Sequence, residues 1–244
     1  WLYKGDYQQA AAAARQVIDA GGDEPFSATA YSQLWSTGQS PQRLFAFNID
    51  QTYYTEVLAN PLTDGDLYMM NPQLTYAATD IRRAHSVNAM DMQGVTRNLM
   101  GKYAGMIHKE TTPTYVNRLR YAEAYFIAAE AYSRLGQYDE ARSLVNHYLT
   151  LVGGSPIPET VSGTALTDSI LHEKQLEFVG EGTRYFDLKR TRKTALPRLT
   201  RWGSSVSSTI DADDHRWTWP IPRSEYLYNE NVTQNEGWPL SRQD

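Results

Sequence analysis

The stretch from Arg118 to Arg190 limits what this chain can become more than any other. It reads RLRYAEAYFIAAEAYSRLGQYDEARSLVNHYL, followed after a linker by TDSILHEKQLEFVGEGTRYFDLKR. Ala124, Ala128, Ala131 and Leu135 recur at three- and four-residue steps, which places small apolar side chains along one face of a helix. Gly136 can take the left-handed conformation that ends a helix, and Tyr138 opens a second pattern carried by Ala141, Leu144, Val145 and Leu149. Two helices joined by a tight turn, with Ala-x-x-x-Leu-Gly-x-Tyr-x-x-Ala between them, read as one tetratricopeptide-type repeat. A single repeat cannot bury its apolar face alone, so partners are required elsewhere.

The first residues supply one. Gly5-Asp6-Tyr7-Gln8-Gln9-Ala10 echoes Gly136-Gln137-Tyr138-Asp139-Glu140-Ala141, and both precede an apolar helix. Trp1 therefore falls inside a repeat, and the chain is expected to be part of a longer polypeptide. Residues 1 to 22 form a repeat helix packed through Ala10 to Ala14 and Val17-Ile18 and stopped by Gly21-Gly22.

From Asp23 to about Glu110 the helical period is lost. Pro25, Pro41, Asn60-Pro61, Asp64-Gly65 and Asn71-Pro72 cut the segment into short pieces, with Arg43 to Ile49 readable as a strand. Long irregular inserts in a helical array are uncommon unless they bind something. Residues 111–200 carry the repeat and the helices after it, one running from Thr167 or Asp168 to Val179 and one from Thr183 to Thr194. Residues 201–244 are extended by prolines and expected to pack back over the helices.

At 41% hydrophobic content, 244 residues can build one sizeable core, so a single domain with elaborate loops is expected. The net charge of −5 argues against nucleic acid or an anionic membrane surface as partner. Cysteine is absent, which excludes disulfides and thiolate metal sites. No apolar run approaches the roughly 20 residues that span a bilayer.

The 17 tyrosines and 6 tryptophans stand out, many in polar, turn-rich sequence. They can staple loops onto helices or form an exposed stacking surface. Tyr31, Trp35, Tyr53, Tyr54, Tyr68 and Tyr76 are the platform candidates within the insert.

Glu173, Glu177 and Glu181, four residues apart, would share a helix face. Paired carboxylates can hydrolyse glycosides, but such acids also pair with bases from neighbouring helices, here Arg118, Arg120, Arg184 or Arg190. The structural role is favoured, because ion-pair networks also place acids on inner faces and Gly180 interrupts the row. Glu130–Arg134 and Asp139–Arg142 read as local helix pairs. Five histidines show no metal-ligand spacing, and Asp64-Gly65-Asp66 lacks the remaining ligands of a calcium loop. No phosphate loop or nucleophile elbow is present, so neither cofactor nor metal is expected. Asn231-Val232-Thr233 matches the short glycosylation pattern.

Taken in order, these motifs resemble the SusD/RagB-like family of outer-membrane nutrient-binding lipoproteins of Bacteroidota. The carriers are Arg120-Tyr121-Ala122-Glu123, Ala129-Glu130-Ala131, Gly136, Ala141, Asn146, Ile170-Leu171, Glu173, Glu177 and the run Glu181 to Arg190. Trp219-Pro220-Ile221-Pro222, Glu225 and Gln234 to Trp238 match the family's closing motif, with Asp80 to Arg83 a weaker match. Lys174 stands where the family usually has Arg, Glu236 where Pro is common, and His147 to Thr150 lack the usual basic residue.

The resemblance implies an all-α, tetratricopeptide-like scaffold with a loop-rich insert, covering the C-terminal half of such a protein. It further implies a lipid anchor outside this chain, a TonB-dependent, SusC-like outer-membrane transporter as partner, and a glycan as ligand, captured without catalysis. Ligand contacts in the family come from variable loops, so they do not transfer by motif. Because the C–H face of a pyranose packs on aromatic rings, Trp35, Tyr53, Tyr54, Tyr68 and Trp202 are the candidates. A peptide-binding member on the same scaffold and a helical glycoside hydrolase using Glu173 and Glu177 are the alternatives.

Overall fold

A computed structural model describes residues 1–21, 27–35, 39–49, 70–71, 74–92, 94–102, 114–195, 209–226 and 228–239. In order, its elements are a 3-10 turn at Leu2–Lys4, α1 (Tyr7–Gly21), α2 (Ala28–Gln33) and β1 (Arg43–Ile49). There follow α3 (Arg82–Ser86), β2 (Val87–Met92), β3 (Val95–Met100) and β4 (Thr114–Arg120). The chain continues with α4 (Tyr121–Arg134), α5 (Tyr138–Val152), α6 (Gly163–Glu177) and α7 (Arg184–Thr191), a 3-10 turn at His215–Trp217 and α8 (Arg223–Tyr226).

The alanine spacing of α4 explains its central position. Ala122, Ala124, Ala128, Ala129 and Ala131 are all buried, so α1, α5 and α6 can each approach it. The main core joins these helices through Phe126, Tyr148, Leu149, Leu166 and Ile170. A smaller cluster of Leu2, Ala10, Ala11 and Ala131 seals the top of α1. Gly136 takes φ 77 between α4 and α5, as its place in the sequence requires. Gly21 is needed for a different reason, since a Cβ there would lie 2.1 Å from the Tyr121 ring.

The first helix is not continuous from Trp1, because Gly5 at φ 76 separates the Leu2–Lys4 turn from α1. Helix α6 begins at Gly163 with Ser162 as N-cap, earlier than Thr167 or Asp168. Thr167 is instead a buried interior residue whose hydroxyl meets that of Ser133 at 2.7 Å. Helix α7 covers Arg184–Thr191, ending where Arg192 adopts φ 53, short of Thr194.

The expected strand is present over Arg43–Ile49 and pairs antiparallel with β4, with Arg43 opposite Arg120 and Phe47 opposite Val116. A second antiparallel hairpin, β2–β3, was not foreseen; it pairs Val87 with Met100 and Met92 with Val95. These two-stranded sheets are appendages on an all-α scaffold. The C-terminal stretch does return to the helices. Tyr185 donates to the Trp217 carbonyl at 3.0 Å, and Gln234 brackets Ile221 through both its amide oxygen and nitrogen. Among the described residues no helix is long and apolar enough to cross a membrane.

Candidate functional site

The insert meets the helical scaffold at one buried cluster of charges, centred on the end of α6. Glu177, the last residue of that helix, has no solvent exposure. Its carboxylate accepts from the Arg120 guanidinium at 2.6 Å, from the Tyr31 hydroxyl at 3.4 Å and from the Tyr148 hydroxyl. Arg120, at the junction of β4 and α4, forks so that Nε and Nη2 also reach Glu181 at 2.9 and 2.7 Å. Lys102 donates to Glu181 at 2.6 Å and to the Glu177 carbonyl. One turn earlier on α6, Glu173 accepts from Arg82 at 2.8 Å, and Arg82 grips Asp80 at 2.6 to 3.0 Å.

Three separate points of the insert are thereby fastened to α6: Tyr31 on α2, the Asp80–Arg82 pair at the start of α3, and Lys102 after β3. Tyr76 adds a fourth by donating to the Leu176 carbonyl at 2.8 Å. Burial alone would raise the Glu177 carboxyl. The neighbouring Arg120, with Lys102 and Arg82, outweighs that and holds it below the usual carboxylate range. Burial lowers Lys102, against the pull of Glu181 and Glu177. His85 is lowered by burial and by Lys102.

Glu177 is enclosed by a guanidinium and two phenols, away from solvent, while Glu173 is partly exposed and ion-paired with Arg82, so the two acids do not face solvent together. Of the bases foreseen for the three acids, Arg120 is the one that pairs with them. Arg118 is exposed beside the Phe47 ring, and Arg184 makes none of these pairs. Arg190 binds Glu130 through two contacts of 2.6 Å and Asp187 at 2.6 Å.

Glu130 is accordingly not a local surface residue. It is fully buried, and its i,i+4 contact with Arg134, at 3.5 Å, is secondary to Arg190. Asp139–Arg142 is local, at 2.9 Å. Lys174, in place of the family's arginine, still reaches Asp187 at 3.0 Å.

The aromatic candidates divide sharply. Trp35 is only 9% exposed, its ring lying 4.6 Å from the Lys102 ammonium and 5.3 Å from the Arg120 guanidinium. It packs edge-on against the fully buried Tyr31. The expectation that Trp35 is an exposed stacking ring is corrected: two cations and a neighbouring phenol hold it inside. Tyr31 and Tyr76 are likewise anchors and not platform rings. Tyr53, Tyr54, Tyr68 and Trp202, and the Asp64-Gly65-Asp66 turn, lie outside the described residues.

Residues 50–69 nevertheless begin and end at fixed points. Ile49 closes the β1–β4 ladder, and Met70, itself buried, donates its N–H to the Asn98 carbonyl of β3 at 2.9 Å. Among the described residues, Trp219 of the closing motif is 74% exposed, and Tyr228, outside every motif singled out, is 92% exposed. No group of described side chains could hold a metal ion.

Asp80, Arg82 and Lys102 were missed as members of the site. Asp80 to Arg83 carried a weak signal as a motif, whereas Lys102 carried none, being one lysine after an unrecognised hairpin.

Comparison with known proteins fits this geometry. The model of the SusD family matches residues 45–238. SusD-like protein P38 of Formosa agariphila is 34% identical over 164 residues, covering 64% of this chain and 31% of that protein. Among solved structures, a putative sugar binding protein from Bacteroides vulgatus superposes with a TM-score of 0.72 at 21% identity, over 98% of this chain and 57% of the other. A SusD-like carbohydrate binding protein from the same species gives 0.61 at 18% identity, over 77% and 42%. The chain spans about a third of the length of the curated relatives it matches.

Proposed function

The chain belongs to the SusD family, whose model matches residues 45–238, and from that premise we propose that it forms part of a non-catalytic, glycan-binding protein at the bacterial cell surface. In this reading the whole protein is an outer-membrane lipoprotein, anchored through a lipid outside residues 1–244. It delivers oligosaccharides to a TonB-dependent, SusC-like transporter. The glycan rests on Tyr53, Tyr54 and Tyr68 of the insert and on Trp202, while Trp35 serves as a buried anchor of the insert.

The observation that carries this reading is the fastening of the insert. A phenol hydrogen bond from Tyr31, the Asp80–Arg82–Glu173 ion pairs and Lys102 on the Glu177 carbonyl and Glu181 fix it to α6 and the turn after it, and β1 and β3 hold the residues that flank the tyrosine-bearing stretch 50–69. Fixed flanks on either side of a binding segment reduce the ordering cost of capture. Weak capture is sufficient for such a protein, since a millimolar site needs only about −4 kcal/mol. Three or four rings, with a few hydrogen bonds of about 1 kcal/mol each, supply that. Two solved structures of the same fold, described as a putative sugar binding protein and a carbohydrate binding protein, support a glycan as the ligand class.

The test is calorimetric titration of the chain with a broad panel of soluble oligosaccharides, repeated on Tyr53→Ala, Tyr54→Ala and Trp202→Ala. At least one glycan is expected to bind, and each substitution to weaken it by about tenfold, equivalent to about 1.4 kcal/mol. Binding of peptides with no response to any glycan rejects the proposal.

A further inference from the structure

Away from the insert, a hollow opens on the scaffold itself, where the linker after α5 crosses α6. It has a volume of about 360 Å³, within the range of about 300–1,000 Å³ that small-molecule sites occupy. Ser155, Pro156, Ile157 and Pro158 form its wall. Asp168, Ser169, His172 and Glu173 form its floor, since residues one, four and five positions apart share a face of α6.

The wall is fixed. Asn146 of α5 donates to the Ile157 carbonyl at 3.0 Å and accepts from its N–H at 2.7 Å. Arg142 donates to the Val161 carbonyl at 2.6 Å, and Thr79 to the Gly153 carbonyl at 2.7 Å. Ile157 is buried in the main core, which leaves Pro156 and Pro158 exposed on either side of it. A hollow whose wall is already ordered loses little entropy when it takes a ligand.

The floor is charged but balanced. Arg82, itself buried, holds Oε2 of Glu173 at 2.8 Å, and Lys193 straddles the Asp168 carboxylate at 2.9 and 3.0 Å. An ionised carboxylate offers about four lone-pair positions, so each acid keeps acceptors to spare. Oε1 of Glu173 and both ring nitrogens of His172 meet no polar partner among the described residues. A cationic ligand would find both acids already neutralised, and an anionic one would face two carboxylates. Hydroxyl donors incur neither penalty, and the two prolines offer an apolar surface to C–H groups.

We propose that this hollow is a carbohydrate site separate from the insert, sized for one ring of a neutral sugar. Hydroxyls donate to Oε1 of Glu173 and to Asp168, His172 adds a hydrogen bond at the rim, and the C–H face of the ring lies on Pro156 and Pro158. The site uses no aromatic stacking and does not rest on the tyrosine platform.

The test labels the chain with carbon-13 at Cε1 of histidine and titrates it with methyl glycosides of glucose, galactose, mannose and xylose, with glucuronate, and with lysine amide. His172 is assigned among the five histidines by its loss in His172→Ala. Its signal should shift saturably with at least one neutral glycoside, at a dissociation constant of about 1–10 mM, and with neither charged probe. Ser155→Trp, at an exposed position of the wall, should abolish the shift while the other four histidine signals stay in place. His172→Ala should weaken binding by about fivefold, read from saturation transfer to the protons of the glycoside. Glu173 is left intact, because its loss would also free Arg82. In a chain carrying Tyr53→Ala, Tyr54→Ala and Trp202→Ala together, the His172 response should be unchanged, which tells failure of the platform from failure of this site. A silent His172 across the glycosides overturns the proposal. So does a stronger response to glucuronate or lysine amide, a response that survives Ser155→Trp, or one lost with the three platform rings.

Discussion

Helix α6 is gripped on its two sides by different physics. Toward α4 and α5 the contacts are apolar and close: alanines of α4 with no exposure, and Tyr148, Leu149, Leu166 and Ile170 behind them. Toward the insert they are ionic: Asp80–Arg82–Glu173 and Lys102–Glu181–Arg120–Glu177, with Trp35 between two cations. An apolar interface tolerates small changes of volume and degrades gradually. A buried ion pair gains little over a hydrophobic one when whole, yet loses a great deal when one partner is removed. The scaffold is thus built to be stable, and the insert to sit in one arrangement. A platform that recognises a ligand needs that second property more than the first.

Four outcomes would break or sharpen this contrast. The largest effect is expected at the ionic side: Glu177→Ala removes the buried carboxylate that Arg120, Tyr31 and Tyr148 share and should lower unfolding free energy by about 3–5 kcal/mol in urea titration. A loss below 1 kcal/mol would dissolve the distinction. On the apolar side, Ala128→Leu overfills a fully buried position of α4 and should be destabilising by about 1–3 kcal/mol, with the midpoint shifted and the transition still cooperative.

Tyr148→Phe probes the boundary, because its ring belongs to the apolar core and its hydroxyl to Glu177. Removing the hydroxyl alone should cost about 1–3 kcal/mol, as a charged acceptor loses a donor. The smallest effect is expected for Tyr53→Ala and Tyr54→Ala: if these rings serve a ligand and not the fold, stability should change by less than about 0.5 kcal/mol while glycan affinity falls.

Acid should separate the two sides as well. The folded protein holds Glu177 below its ordinary value of 4.5. Its contribution is therefore present above that value and lost as pH falls through the lower, folded one. Thermal unfolding followed from pH 7 to pH 3 should show a steeper acid limb for the parent protein than for Glu177→Gln.

The apolar side was legible in the sequence and the ionic side only in outline. Residues 121–152 announce themselves because a helix repeats its apolar face every three to four residues, and Gly136 marks the break. Strand Arg43–Ile49 was legible through its bounding turn residues and its phenylalanines. The β2–β3 hairpin was not, since Val87–Met92 and Val95–Met100 mix polar and apolar residues on exposed, half-paired ribbons with no strong turn signal beyond Gly94. Helix α6 starts at a Ser-Gly-Thr stretch indistinguishable from linker.

The acids on α6 could be assigned a structural role, and Arg120 named among their partners. Arg82 and Lys102 could not, because a buried lysine and a surface lysine look alike until the chain is folded. Trp35 misled for the same reason. Its neighbours in sequence, Ser36, Thr37 and Gly38, are polar, while its neighbours in space are two cations brought from distant segments.

The most direct test of the charge-held insert is native-state hydrogen exchange on Glu177→Gln, which keeps the side-chain shape and removes the charge. Amides of α2, α3, β2 and β3 should lose protection while those of α4 and α5 keep theirs. Equal loss across all of these elements, or no loss anywhere, would contradict the account.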